Sequence, residues 1–155
     1  MFPREIEFYL KRAKTFAARV KGAIYPRTIE LNCEYAPSAE PVEFKDRLSL
    51  AYAPIRKGEI WGRDWSSAWF HVTGTVPEEF QGAELSLLMN IGGEALIFDA
   101  EGTPVYGLTG GTVYSSDYYK NNYPLKKAAP GTELDFWIEG AANSLFGLLH
   151  EEMRE

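Results

Sequence analysis

Cysteine is nearly absent: Cys33 is the single one, which excludes an internal disulfide. With no basic or histidine neighbour to lower its pKa, it reads as a small apolar filler in a strand rather than a reactive thiol. Histidine is equally scarce. His71 and His150 stand far apart in different contexts, so the clustered spacing of a zinc site is missing. No basic block occurs, and 22 acidic against 16 basic residues leave a net charge of −6. That balance disfavours nucleic acid and anionic membranes as partners. The apolar runs are far shorter than a membrane span, and the start Met-Phe-Pro-Arg-Glu has no signal-peptide core. These absences together suggest a reducing cytoplasm.

What is present suits a β-rich domain. The 155 residues are enough for one domain with a core. Aromatics reach 14%, and 14 Gly with 9 Pro punctuate the chain, so short strands joined by turns are expected. The first stretch differs. Residues 3–21 carry no Gly, and Ile6, Tyr9, Leu10, Ala13, Phe16, Ala17 and Val20 recur on one helical face. Pro3 and Glu5 suit its first turn; Lys21 and Gly22 suit its end. An amphipathic helix over 1–22 is expected to pack on the remainder, 23–155, or on a neighbouring domain.

Beyond Gly22 the period becomes two. Ile29, Leu31 and Cys33 mark a strand over about 27–34, broken by the proline-rich stretch Ala36 to Pro41. Residues 44–52 read as a second extended stretch. Trp69 to Val76 alternates strongly. Leu85, Leu87 and Met89 share a face. Residues 95–98 and 103–107 form a hairpin around the turn 99–102. Residues 107–111 and 117–124 read as loops. In the strand 133–139, Leu134, Phe136 and Ile138 point inward, and 145–150 is a final piece. About eight short strands favour an antiparallel β-sandwich.

Three of the four tryptophans lie in Trp61-Gly-Arg-Asp-Trp65-Ser-Ser-Ala-Trp69-Phe70. They serve a core or sheet edge, a domain contact, or a stacking platform for sugar. In the last case Trp61, Asp64, Trp65 and Tyr118 line a shallow groove, with ring faces on sugar C–H groups and carboxylate oxygens on hydroxyls. Alternation sends Trp69 and Phe70 to opposite faces, so one of them faces outward or into a second interface. No nucleophile elbow accompanies His71, which disfavours a serine triad. Glycoside hydrolysis needs two carboxylates roughly 5–10 Å apart. Asp64, Glu94, Asp99, Glu101, Asp117 and Glu139 are available, and each also suits a turn or a solvated surface.

The order of Trp61-Gly-x-x-Trp-x-x-x-Trp-Phe70, the strand ending at Val76-Pro77, Gly92-Gly-Glu-Ala95, the hairpin closing at Gly107-Leu-Thr-Gly110, and Asn143-Ser-Leu-Phe-Gly147 carries a resemblance. It resembles the N-terminal, non-catalytic β-sandwich domain of α-mannosidases of glycoside hydrolase family 38, of the bacterial and cytosolic type. More loosely it is similar to jelly-roll, galactose-binding-like domains of other glycosidases. The resemblance implies a parent enzyme that removes mannose with retention, using zinc and an Asp nucleophile in a catalytic barrel. That barrel's His-x-Asp metal motif is missing here, since His71 is followed by Val-Thr and His150 by Glu-Glu. No catalytic residue and no cofactor therefore carries over to this chain. The barrel of the same polypeptide is its expected partner, with carbohydrate a further candidate. Trp61, Asp64, Trp65, Trp69 and Tyr118 are the candidate sugar or domain-interface residues. A carbohydrate-binding module and a protein-interaction sandwich are the rival readings.

Overall fold

The architecture comes from a computed structural model that describes residues 3–110, 119–125 and 128–143. The chain divides into two units, Met1–Glu30 and Leu31–Glu155. The first holds helix α1, Pro3–Ala23, with Glu5 in its first turn and Lys21 in its last. Gly22 is taken into the final turn instead of stopping it, a shift of the size that fraying helix ends show. Ile6, Tyr9, Leu10, Phe16 and Val20 of the apolar stripe are all exposed.

Among the described residues, every strand pairing of the second unit is antiparallel. Its strands are β1 (Asn32–Ser38), β2 (Ala53–Pro54), β3 (Ser67–Thr75), β4 (Leu85–Leu88), β5 (Glu94–Phe98), β6 (Pro104–Thr109), β7 (Asn122–Leu125) and β8 (Glu133–Ala141). Six of them form one sheet in the order β2-β1-β3-β8-β5-β6, and β4 pairs with β7 in a second. The spine is the nine-residue ladder of β3 with β8, from Ser67 opposite Ala141 to Thr75 opposite Glu133. Period-two alternation sends Ala68, Phe70 and Val72 of β3 inward. There they meet Ala95, Ile97, Leu108 and Ile138 of the same sheet and Leu87 of the small one. Ile97 and Ile138 are fully buried; each contributes about 1.5–3 kcal/mol of apolar burial. The result is mainly β, a six-stranded sheet packed on a two-stranded one, with one N-terminal helix.

Both faces of the large sheet carry cover, which explains the buried run Ser67 to Phe70. Opposite the main core, Trp69 lies beneath a 3-10 helix, Phe44–Ser49. Its ring is 5.8 Å from Phe44 and 5.1 Å from Phe98. Its Nε1–H donates to the Val42 carbonyl at 2.8 Å. Alternation at Trp69 and Phe70 is thus preserved, with two interiors receiving the two rings.

Four sequence expectations shift. The first strand is 32–38, not 27–34, and runs through Pro37. Strand β2 pairs only with Glu34 and Tyr35, so Pro37 lies where β1 has one neighbour and loses no ladder bond on the open side. Residues 44–52 are not extended. The 3-10 helix is held by Ser49 Oγ on the Asp46 carbonyl (2.7 Å), Arg47 Nη1 on the Phe44 carbonyl (2.8 Å) and the Tyr52 hydroxyl on the Arg47 carbonyl (3.1 Å). Strand β6 continues through Leu108, which the core takes up, so 107–109 is not loop. Residues 122–125 form β7 against β4, where Pro124 is tolerated in a two-stranded sheet. The hairpin turn 99–102 is as expected. Asp99 Oδ1 accepts the amides of Glu101 (3.1 Å) and Thr103 (2.8 Å), and Gly102 takes φ +87°.

Candidate functional site

The tryptophan segment divides its rings among different jobs. Trp61 donates Nε1–H to the Ile91 carbonyl at 2.7 Å and meets Phe70 edge-on at 5.3 Å. It closes the rim of the main core. Trp69 is 1% exposed and belongs to the second interior. Trp65 is different: it is 55% exposed, and among the described residues its indole has neither a ring contact nor a hydrogen bond. Its backbone sits at φ +71°, the only positive φ outside glycine among the described residues. For a bulky L-residue that conformation costs about 1–2 kcal/mol.

The loop holds Trp65 there through its main chain. The Ser66 amide donates to the Arg63 carbonyl (2.9 Å), and the Arg63 amide donates to Ser66 Oγ (3.0 Å). The Trp65 amide donates to the Ala142 carbonyl (2.8 Å), and the Ala142 amide donates to the Ser66 carbonyl (2.9 Å). These two bonds prolong the β3–β8 ladder by one step past Ser67 and Ala141. Asp64 is half-buried in the same loop. Tyr118 lies outside the described residues, as do Asp117, the 145–150 piece and His150. Trp65 and Asp64 thus share a loop end, Trp61 packs on the rim of the main core, and Trp69 is buried in the second interior.

Sequence reasoning missed what stands beside that loop. Ala141 of β8 faces Ser67 on one side and Glu94 of β5 on the other. Two residues on, Asn143 Nδ2–H donates to Glu94 Oε2 at 2.6 Å. A carboxylate–amide pair thus borders the same end of β8 that Trp65 borders. Sequence spacing across 65, 94 and 143 carries no signal for this, because only the strand order brings them together.

A second cluster lies on the sheet face shared with Trp69. His71 stacks on Trp137 at 3.9 Å and 6°, and its Nε2 is 2.9 Å from Asp135 Oδ1. The Arg47 guanidinium lies 3.6 Å from the Phe44 ring and 4.3 Å from the Trp137 ring, a cation–π arrangement. Tyr52 meets Trp137 edge-on at 5.8 Å. Burial raises the Tyr52 pKa while the Arg47 charge opposes the rise. Burial alone raises the Glu139 carboxyl above its ordinary value. Cys33, half-buried in β1, is pushed up to about 11, by desolvation first and by the Glu34 charge second.

Among the described residues no three of His, Cys, Asp and Glu come together as they would around a metal ion.

With this geometry in hand, comparison with known proteins is decisive. The family described as "Alpha-mannosidase, jelly roll domain" matches residues 25–154. The chain belongs to that family. The match begins just after helix α1 and takes in all eight of the described strands. Its relatives include Alpha-mannosidase G of Dictyostelium discoideum, 29% identical over 135 residues, which are 83% of this chain and 12% of that protein. Alpha-mannosidase 2C1 of Mus musculus is 25% identical over 131 residues, 83% of this chain and 12% of its own length. Alpha-mannosidase 2C1 of Homo sapiens is 29% identical over 111 residues, 70% and 10% respectively. The alpha-mannosidase jelly roll domain thus spans about an eighth of its curated relatives.

Proposed function

We propose that this chain is a non-catalytic accessory domain of an α-mannosidase, standing at the N-terminal side of a zinc-dependent catalytic barrel that it braces. The match of residues 25–154 to the jelly roll domain supports this reading most directly. The geometry supports it too. The interiors are filled by aromatic and aliphatic side chains, the turn acid Asp99 is spent on backbone amides, and Glu133 accepts the Thr75 hydroxyl at 3.0 Å. In this reading the zinc ion and the Asp nucleophile belong to the barrel. Helix α1 supplies one of the bracing contacts, its exposed Ile6, Tyr9, Leu10, Phe16 and Val20 covering a neighbouring surface. A cytoplasmic setting goes with it, supported by a sequence in which one cysteine permits no internal disulfide.

The test is hydrolysis of an aryl α-mannoside by the 155-residue chain with zinc or cobalt added. The accessory reading expects no turnover above buffer. Saturable hydrolysis that survives further purification overturns it.

A further inference from the structure

We propose that Trp65 and the Glu94–Asn143 pair form a binding site for one hexose unit of a glycan. Trp61 and Trp69 each hold the fold through a ring contact and an indole hydrogen bond, and Trp137 is packed between His71, Arg47 and Tyr52. Trp65 alone leaves most of its ring to solvent and sits in a backbone conformation that favours glycine. The described fold gains nothing from an indole there. A ligand does, because two main-chain bonds to Ala142 fix the loop that carries the ring, so the backbone there needs no further ordering.

The neighbouring groups say which ligand. A hexose offers a face of C–H groups and a rim of hydroxyls. The exposed indole supplies the flat apolar surface for the first. The Glu94 carboxylate, held by the Asn143 amide at 2.6 Å, supplies oriented acceptors for the second. Both approach the end of β8, since Glu94 flanks Ala141 and Trp65 bonds to Ala142. A protein partner fits less well. The centres of protein interfaces are poor in charge, whereas Trp65 follows Arg63 and Asp64 in its own loop and Glu94 stands on the other side of β8. Only the use of mannose as a probe rests on the α-mannosidase reading; the site does not.

The experiment is an NMR titration of the 155-residue chain, following the indole N–H signals, with α-mannobiose, lactose and maltose separately at millimolar concentration. The proposal expects a saturable shift of the Trp65 signal with at least one of them and no shift at Trp69. Followed instead through the backbone amides of Glu94 and Asn143, which shift with the sugar in the unaltered chain, Trp65→Gly loses the saturable shift and raises the melting temperature, because Gly accepts φ +71° without strain. Glu94→Gln weakens binding at least severalfold while leaving the melting temperature within a degree or two. Trp65→Asn, another residue that tolerates this backbone region, serves if the glycine variant expresses poorly. No saturable shift with any of the three sugars overturns the site, and so does a shift that persists in Trp65→Gly. Shielding of Trp65 only within a longer parent polypeptide makes a protein surface the occupant and equally overturns it. Mannoside hydrolysis by the chain would sink the accessory reading and leave this titration intact.

Discussion

Removing the Trp69 side chain tests the two-interior architecture most sharply. Trp69→Ala deletes a ring that is 1% exposed and packed against Phe44 and Phe98. Large-to-small changes of this kind cost about 3–5 kcal/mol. The Val42 carbonyl also loses its donor, and an orphaned acceptor adds about 1 kcal/mol or more when water cannot reach it. Total domain stabilities of about 5–15 kcal/mol make this a large fraction of the whole. With a urea slope of about 2 kcal/mol/M, a loss of 3–5 kcal/mol moves the midpoint down by about 1.5–2.5 M. Trp69→Phe separates the two contributions: it keeps most of the ring packing, loses the hydrogen bond, and should cost about 1–2 kcal/mol. The assay is urea unfolding followed by far-ultraviolet circular dichroism. A Trp69→Ala cost below about 1 kcal/mol would refute the argument, because the 3-10 helix over that face would then not be a packed cover.

Two titratable groups give further predictions. The folded Glu139 carboxyl keeps its proton to a higher pH than the unfolded one, so stability falls as pH rises from the ordinary value of 4.5 to the raised one. Glu139→Gln should therefore stabilise the domain at pH 7 and lose that advantage below about pH 4, read as urea midpoints at both; an equal difference at the two pH values contradicts it. Cys33, held near 11 instead of 9.0, carries about a hundredfold less thiolate than a free thiol at neutral pH. Its alkylation by iodoacetamide should be at least that much slower in the native chain than in urea, and equal rates would show that Cys33 is not shielded in β1.

The regular parts of the fold were readable because their pattern is local. Phe70 and Val72, then Leu134, Phe136 and Ile138, alternate without interruption, and these are the two strands of the spine. The 94–109 hairpin was marked by a turn whose Asp99 and Gly102 do what their chemistry favours. Tertiary context decided the rest. Pro37 looked like a break, but the short β2 leaves that part of β1 with one neighbour. Residues 44–52 read as extended, yet 44–49 coil into a 3-10 helix in which Arg47 lies against the Phe44 and Trp137 rings, contacts that no local pattern announces. The site was legible by half. Trp61, Trp65 and Trp69 were visible as a cluster, but their division among rim, solvent and second interior follows from the turn at Arg63 to Ser66. Glu94 and Asn143 become neighbours of Trp65 only through the β3-β8-β5 order.

Hydrogen exchange of the individual tryptophan indole N–H groups tests most directly whether two rings of the segment hold the fold while one is left for a ligand. The account predicts slow exchange at Trp61 and Trp69, which donate to the carbonyls of Ile91 and Val42, and exchange at Trp65 close to that of free indole. Equal rates at all three, or protection of Trp65 in the sugar-free chain with Trp69 open, would contradict it.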